Sequence, residues 1–200
     1  MFIAIEGPDG VGKTSIAKNV VQLLGEDGSH AVFESFPGKN KGTIGELVYR
    51  LHHESADAGV EQCTATSLQA MHVAAHLDAI ERWLLPIAAS DSTLVLDRYW
   101  WSTWVYGMAG GVSEIILDCL LQAEVEMWGR CQPDVIVLIE RDAPIDRKVA
   151  INAWKQLVGY YDRLANRESK AQCILRFENT METVEEASSK VLQLVKDRLN

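Results

Sequence analysis

What this sequence lacks narrows it first. Its four cysteines, Cys63, Cys119, Cys131 and Cys173, are far apart and form no C-x-x-C pair. That spacing excludes the usual zinc patterns and leaves reduced thiols as the expectation. No run of about 18 apolar residues occurs, so no membrane-spanning helix is expected. Positive charge is in deficit: 19 Lys and Arg stand against 28 Asp and Glu, a formal net charge of −9. Nucleic acid and anionic membrane both attract a basic face, so neither is expected as a partner, although a local basic pocket is compatible with the balance. Internal repeats and low-complexity linkers are absent, so 200 residues are expected to form a single domain, 1–200. The opening Met-Phe-Ile-Ala-Ile-Glu-Gly reads as a strand rather than a signal peptide, and a cytoplasmic location is expected.

What is present is an alternation of short apolar runs with helix-period segments. Strands are expected at Phe2–Glu6, Ala31–Phe36, Ser92–Asp97, Val135–Glu140 and Cys173–Phe177. Helices are expected from Lys13 to about Leu24, over Ile44–His53, from about Ser67 to Ile87, over Val112–Trp128, from about Asp146 to Asn166, and over Val184–Leu199. In the helix beginning near Asp146, the stripe Val149, Ala153, Leu157, Tyr160 and Leu164 is expected to face the core. Strands alternating with helices imply a parallel sheet covered on both faces, and short apolar strands fit that burial. The expectation is an α/β three-layer fold with five parallel strands, whose ligands sit beyond the carboxyl ends of the strands.

Gly7-Pro8-Asp9-Gly10-Val11-Gly12-Lys13-Thr14 fits G-x-x-x-x-G-K-[ST] at every fixed position, after a strand and opening a helix. The glycines let backbone N–H groups close around phosphate oxygens, and the following helix aims its positive dipole end there. ATP is therefore expected on Gly7, Gly10, Val11, Gly12, Lys13, Thr14 and Ser15. Lys13 neutralises the β- and γ-phosphates, and Thr14 offers its hydroxyl to Mg²⁺. At the end of the third expected strand stand Asp97 and Arg98, an acid placed for the metal and a forked cation placed for a phosphate. Two phosphate-gripping clusters at neighbouring strand ends point to phosphoryl transfer, which needs charge neutralisation and alignment more than covalent chemistry. No Ser-His-Asp or Cys-His arrangement is evident, and an acceptor that is already a phosphate needs none.

The stretch Asp97-Arg98-Tyr99-Trp100-Trp101-Ser102-Thr103-Trp104-Val105-Tyr106-Gly107 resembles the D-R-[YH]-x-x-S-x-x-A-Y-x-G segment of thymidylate kinases. The phosphate loop resembles theirs too, including the acid at Asp9. Phe36-Pro37-Gly38 is similar to the family's turn after its second strand, and Tyr160 to Ala165 to the segment after its lid. The resemblance implies a P-loop NTPase fold of the nucleoside monophosphate kinase type, with an acceptor region at about 36–90 and a short lid at about 141–150. It implies transfer from ATP to a deoxynucleoside monophosphate, dTMP first, with Mg²⁺ as cofactor and a homodimer as the assembly.

The resemblance also assigns roles. Asp9 would bind the 3′-hydroxyl, Tyr106 would pack by the sugar, and Asp97 and Arg98 would serve Mg²⁺ and the phosphates. At the base-reading helix this chain has His72 and His76, where the family has an aromatic residue and an arginine. Phe36, Lys39 and Arg50 are the remaining acceptor-side candidates. The phosphate loop carries no arginine, so the catalytic arginine is sought in the lid among Arg141, Arg147 and Lys148, with Arg147 preferred. Trp100, Trp101 and Trp104 read as core packing rather than as a wall around the acceptor. Two other readings stay open here. One is a deoxynucleoside kinase with Glu34 as base. The other is a nucleotide-binding regulator or impaired kinase, motivated by the two histidines and the short lid.

Overall fold

Alternation along the strands divides the core in two. In β1 (Phe2–Glu6), Phe2 and Ala4 join one apolar cluster while Ile3 and Ile5 join the other. The same split recurs in β3 (Thr93–Asp97), between Leu94 and Leu96 on one side and Val95 on the other. It recurs again in β4 (Val135–Glu140), between Ile136 and Leu138 and the trio Val135, Val137 and Ile139. Period-two side chains that are buried on both faces require layers on both faces. The computed structural model describes residues 1–53, 60, 62–129, 131–145, 150–181 and 183–199.

With β2 (Ala31–Ser35) and β5 (Ile174–Glu178), the strands form one all-parallel sheet in the order β2-β3-β1-β4-β5. One face is covered by α1 (Lys13–Glu26) and α8 (Val184–Leu199), which pack on each other. The other is covered by α3 (Ala65–Ala79), α5 (Trp100–Ala109) and α6 (Glu114–Trp128). α7 (Ile151–Glu168) serves both, giving Trp154 to the first cluster and Tyr161, Leu164 and Ala165 to the second. The second face is aromatic: Trp101, Trp104 and Trp128 are fully buried, and truncating such an indole typically costs about 3–5 kcal/mol. Among the described residues no helix is long and apolar enough to cross a membrane, and the four cysteines are free thiols.

Two elements depart from the sequence reading. The long helix expected to run to Ile87 is interrupted by a π-helical turn at Ile80–Leu84, before the four-residue α4 (Leu85–Ala88). Pro86 has no N–H and its ring crowds the carbonyl four residues back, so one wider turn absorbs the mismatch. The helix α5 was not anticipated at all. In α7 the buried stripe is Trp154, Tyr161, Leu164 and Ala165; Ala153 is exposed, Tyr160 is half-buried, and Val149 lies outside the described residues. The remaining helix, α2 (Ile44–His53), packs on α3 and walls the carboxyl-end side of the sheet.

Candidate active site

Parallel register puts the two phosphate-gripping clusters side by side. Ile5 of β1 pairs with Asp97 of β3, and the Arg98 N–H donates to the Ile5 carbonyl at 3.0 Å. The loop after β1 and the pair Asp97–Arg98 therefore leave neighbouring strand ends in the same direction. Gly7, Gly10 and Gly12 of the loop all take positive φ, at 140°, 83° and 97°. At Gly10 a Cβ would lie 2.9 Å from Pro144 Cβ, so that residue is confined by space as well as by φ. Three outside groups brace the loop. The Ile145 N–H donates to the Gly10 carbonyl at 2.8 Å, Trp154 Nε1 to the Asp9 carbonyl at 2.8 Å, and Asn179 Nδ2 to the Val11 carbonyl at 2.9 Å.

Inside the loop, Lys13 is only 5% exposed. Its Nζ donates to the Pro8 carbonyl at 2.7 Å and lies 3.8 Å from the Asp9 carboxylate. Burial first, and the Arg98 guanidinium second, push the ammonium down to about 8, against the pull of Asp9, Asp97 and Glu6. Thr14 Oγ1 donates to Asp97 Oδ2 at 2.5 Å, while Asp97 Oδ1 is buried without a partner among the described residues. A hydroxyl and a bare carboxylate oxygen form a hard donor pair that suits a small divalent cation, with water or phosphate oxygens completing its shell. No group of three or more His, Cys, Asp or Glu that could hold a metal occurs among the described residues.

Beneath the loop lies a residue the sequence reading passed over. Glu6, wholly shielded from solvent, accepts from the N–H groups of Tyr99 at 2.7 Å and Ser102 at 3.1 Å, from Ser102 Oγ at 2.9 Å and from Tyr161 Oη at 3.0 Å. The two N–H groups belong to the first turn of α5, where that of Ser102 also reaches the Tyr99 carbonyl at 3.2 Å, so Glu6 acts as that helix's cap from another strand. Burial raises its carboxyl above the usual range, although Arg98 and these hydrogen bonds oppose the shift. Glu6 thereby ties β1, α5 and α7 together under the phosphate loop. Its only sequence signal was an acid ending an apolar run directly before Gly7.

Arg98 projects into the space above. Its guanidinium donates to Ser102 Oγ at 2.9 Å, pairs with the Asp9 carboxylate, and lies 5.4 Å from the centre of the Tyr106 ring. The Asp9 N–H in turn donates to Tyr106 Oη at 3.2 Å. Partial burial would raise the Asp9 carboxyl, but Arg98 and then Lys13 hold it below the ordinary range. These residues form one wall of a cavity of about 470 Å³, a size suited to a small ligand. Phe36, Lys39 and Tyr49 line another side, and Gln69, His72 and His76 line its floor from α3. Burial first, then His76, push His72 down to about 3, so its imidazole is neutral.

The structure thus brings together Asp9, Phe36, Lys39, His72, His76, Asp97, Arg98 and Tyr106, as the sequence reading expected. Arg50 is a correction: it is exposed and does not line the cavity, whereas its exposed neighbour Tyr49 does, with Lys39 Nζ 4.8 Å from the Tyr49 ring centre. Arg147 and Lys148 lie outside the described residues. Arg141 lines a second cavity of about 210 Å³ with Gly12, Ser15 and Asn179, none of which lines the larger one. Glu34 does not line the larger cavity. Trp100, Trp101 and Trp104 are buried in the core and line neither cavity. His52 and His53, at the end of α2, do line the acceptor side and were missed. Gln69 was missed as well, although its spacing of three from His72 and seven from His76 marks one helical face.

Known proteins bear on this geometry. A thymidylate kinase of Desulforapulum autotrophicum is 31% identical over 143 residues, an alignment covering 71% of this chain and 60% of that relative. A probable thymidylate kinase of Pyrococcus horikoshii is 22% identical over 208 residues, covering 99% of this chain and 97% of that protein. One from Archaeoglobus fulgidus is 28% identical over 202 residues, covering 100% and 92%. The match to the first relative thus spans less than two thirds of its length, whereas the archaeal matches run nearly end to end. The family model for thymidylate kinase matches residues 5–191, from within the first strand into the last helix. Because that match takes in both strand ends from which the site is built, the chain belongs to the thymidylate kinase family.

Proposed function

We propose that this chain transfers the γ-phosphoryl group of ATP to a deoxynucleoside monophosphate, with dTMP the first acceptor, giving the diphosphate. The observation that carries the reading is the register of β1 against β3, which brings Lys13 and Arg98 to the same Asp9 carboxylate, with Asp9, Thr14, Asp97 and Arg98 lining one cavity. In this reading residues 1–200 work as one unit. ATP lays its phosphates in the loop from Gly7 to Ser15, with its base toward the cavity beside Arg141. The monophosphate enters the region of about 36–90, its phosphate toward Arg98 and Lys39, its sugar by Asp9 and Tyr106, and its base toward Phe36, His72 and His76. Thr14 and Asp97 would hold Mg²⁺, which when bound neutralises and aligns phosphate oxygens. Lys13 and Arg98 then offset the charge that spreads over the moving phosphoryl group, and the ionised acceptor needs no base. Arg147 of the lid at about 141–150 is the candidate for a further cation over that group. A homodimer in the cytoplasm completes the reading.

The depressed Lys13 ammonium gives this site a pH signature. Its charged form grips phosphate, so kcat/KM for ATP is expected to hold below about 8 and to fall as pH rises through that value. Bound phosphates favour the charged form, so kcat should hold to higher pH. Steady-state rates across pH at saturating acceptor check this, and a kcat/KM that is flat up to the lysine's ordinary range contradicts it.

The function itself is tested by coupled ADP release with Mg-ATP and a panel of all nucleoside monophosphates, deoxynucleoside monophosphates and nucleosides. Turnover with dTMP, and little with thymidine, is expected. ATP binding without transfer to any member of the panel would refute the proposal.

A further inference from the structure

A guanidinium on a flexible stem serves a reacting phosphate only if its direction is fixed, because the free side chain has many rotamers. Arg98 is held at both tips of its fork. One tip pairs with the Asp9 carboxylate, and the other, Nη1, donates to Ser102 Oγ at 2.9 Å. The two anchors are unlike. The Asp9 side chain is 57% exposed, and in the reading above it turns to the acceptor sugar when the cleft fills. Ser102 is 8% exposed and sits in the first turn of α5.

The Ser102 hydroxyl is itself fixed from behind. Its Oγ lies 2.9 Å from Glu6 Oε2 and 3.0 Å from Tyr161 Oη, which in turn lies 3.0 Å from the same Glu6 oxygen. A hydroxyl has one hydrogen to give and two lone pairs to accept with. An arginine only donates, so one lone pair of Oγ faces Nη1 and the hydrogen is left for Glu6 or Tyr161. Glu6 Oε2 is also 3.3 Å from the N–H of Gly7, which opens the phosphate loop. One buried carboxylate oxygen therefore touches both the donor loop and the anchor of Arg98.

We propose that Ser102 is the positioning residue of Arg98: seated on Glu6, its hydroxyl keeps the fork aimed beside the phosphate loop once the Asp9 carboxylate has turned to the acceptor. Ser102 moves no proton in the reaction. Its part in turnover rests on the monophosphate reading above, whereas its hold on the fork does not. A misplacement of about 1 Å at a reacting group can cost about 10²-fold in rate, so this hydroxyl matters beyond its own hydrogen bond. Ser102 also lines the larger cavity, so direct contact with the acceptor is the rival role to be separated.

Ser102→Ala deletes one oxygen and leaves Glu6 its bonds from Tyr161 and from the two N–H groups of α5, so the variant should melt near the native protein. Nitrogen-15 spectra of the arginine side chains, with Arg98 assigned by the loss of its signals in Arg98→Lys, report how freely the guanidinium turns in the free protein. Slow rotation is expected in the native protein and faster rotation in Ser102→Ala; equal rotation in both overturns the proposal. A double-mutant cycle on kcat with dTMP gives the second readout. Ser102→Ala alone should lower kcat by about 10-fold or more with KM for ATP unchanged, and in the Arg98→Gly background it should cost under about 2-fold. The same loss in both backgrounds would mean that Ser102 serves the fold or meets the acceptor directly, and overturns the proposal, as does an unchanged kcat. A native protein that transfers to no acceptor, with the fork freed in Ser102→Ala, upholds the hold on Arg98 and counts against phosphoryl transfer instead.

Discussion

Lys13→Met is expected to abolish phosphoryl transfer, lowering kcat/KM for ATP by about 10³-fold or more. The side chain lies in a loop whose backbone is already committed to three outside partners, Ile145, Trp154 and Asn179. Removing the ammonium therefore deletes the charge without opening the loop. Methionine keeps the volume of the buried stem, and although it gives up the bond to the Pro8 carbonyl it also removes a charge that burial disfavours. The variant should accordingly melt close to the native protein while its coupled ADP release disappears. Full activity would place the donor site elsewhere.

Arg98→Gly carries the second largest effect. Arg98 has φ 77°, the left-handed region that non-glycine residues enter at a cost of about 1–3 kcal/mol. Glycine removes that strain, so a loss of activity in this variant cannot be blamed on a distorted backbone. What is lost is the forked cation between the Asp9 carboxylate, Ser102 Oγ and the Tyr106 ring. The expected fall in kcat is about 10²–10³-fold. Arg98→Lys should recover only part of it, because an ammonium restores the charge without the fork. Steady-state kinetics on the two variants, beside their thermal midpoints, decide the matter. An unchanged kcat in Arg98→Gly would remove Arg98 from the reaction.

How much of this was legible in the sequence follows from what each signal depends on. The five strands were readable because strands buried on both faces are short apolar runs, and here those runs are punctuated by glycine and proline. The phosphate loop was readable because its glycine spacing is a backbone requirement, independent of tertiary context. By contrast, α5 hid in plain text. Trp100, Trp101, Trp104 and Val105 are buried around much of the helix, so it shows no polar stripe, and aromatic and β-branched residues are indifferent helix formers. Its start is fixed by Glu6, more than ninety residues earlier. The stripe of α7 was misplaced for a related reason: Trp154 and Tyr161 are turned inward by polar tips bound to the Asp9 carbonyl and to Glu6.

The candidate site divides the same way. Asp97 and Arg98 were legible from their place at a strand end, and Asp9 through the resemblance of its loop to that of the family. Arg50 was chosen for its charge, but its place on α2 leaves that charge in solvent, while Tyr49 beside it lines the cavity. The partnership of His76 with Glu124, 48 positions apart, depends on the packing of α3 against α6, which no local pattern encodes.

The most direct measurement is a crystal structure with a bisubstrate analogue, adenosine joined to thymidine through an oligophosphate chain. The predicted result is a chain stretched from Lys13 to Arg98 across Thr14 and Asp97, with thymine against His72 and His76. Binding of the analogue elsewhere, with Asp97 and Arg98 turned away from its phosphates, would contradict the account at its root.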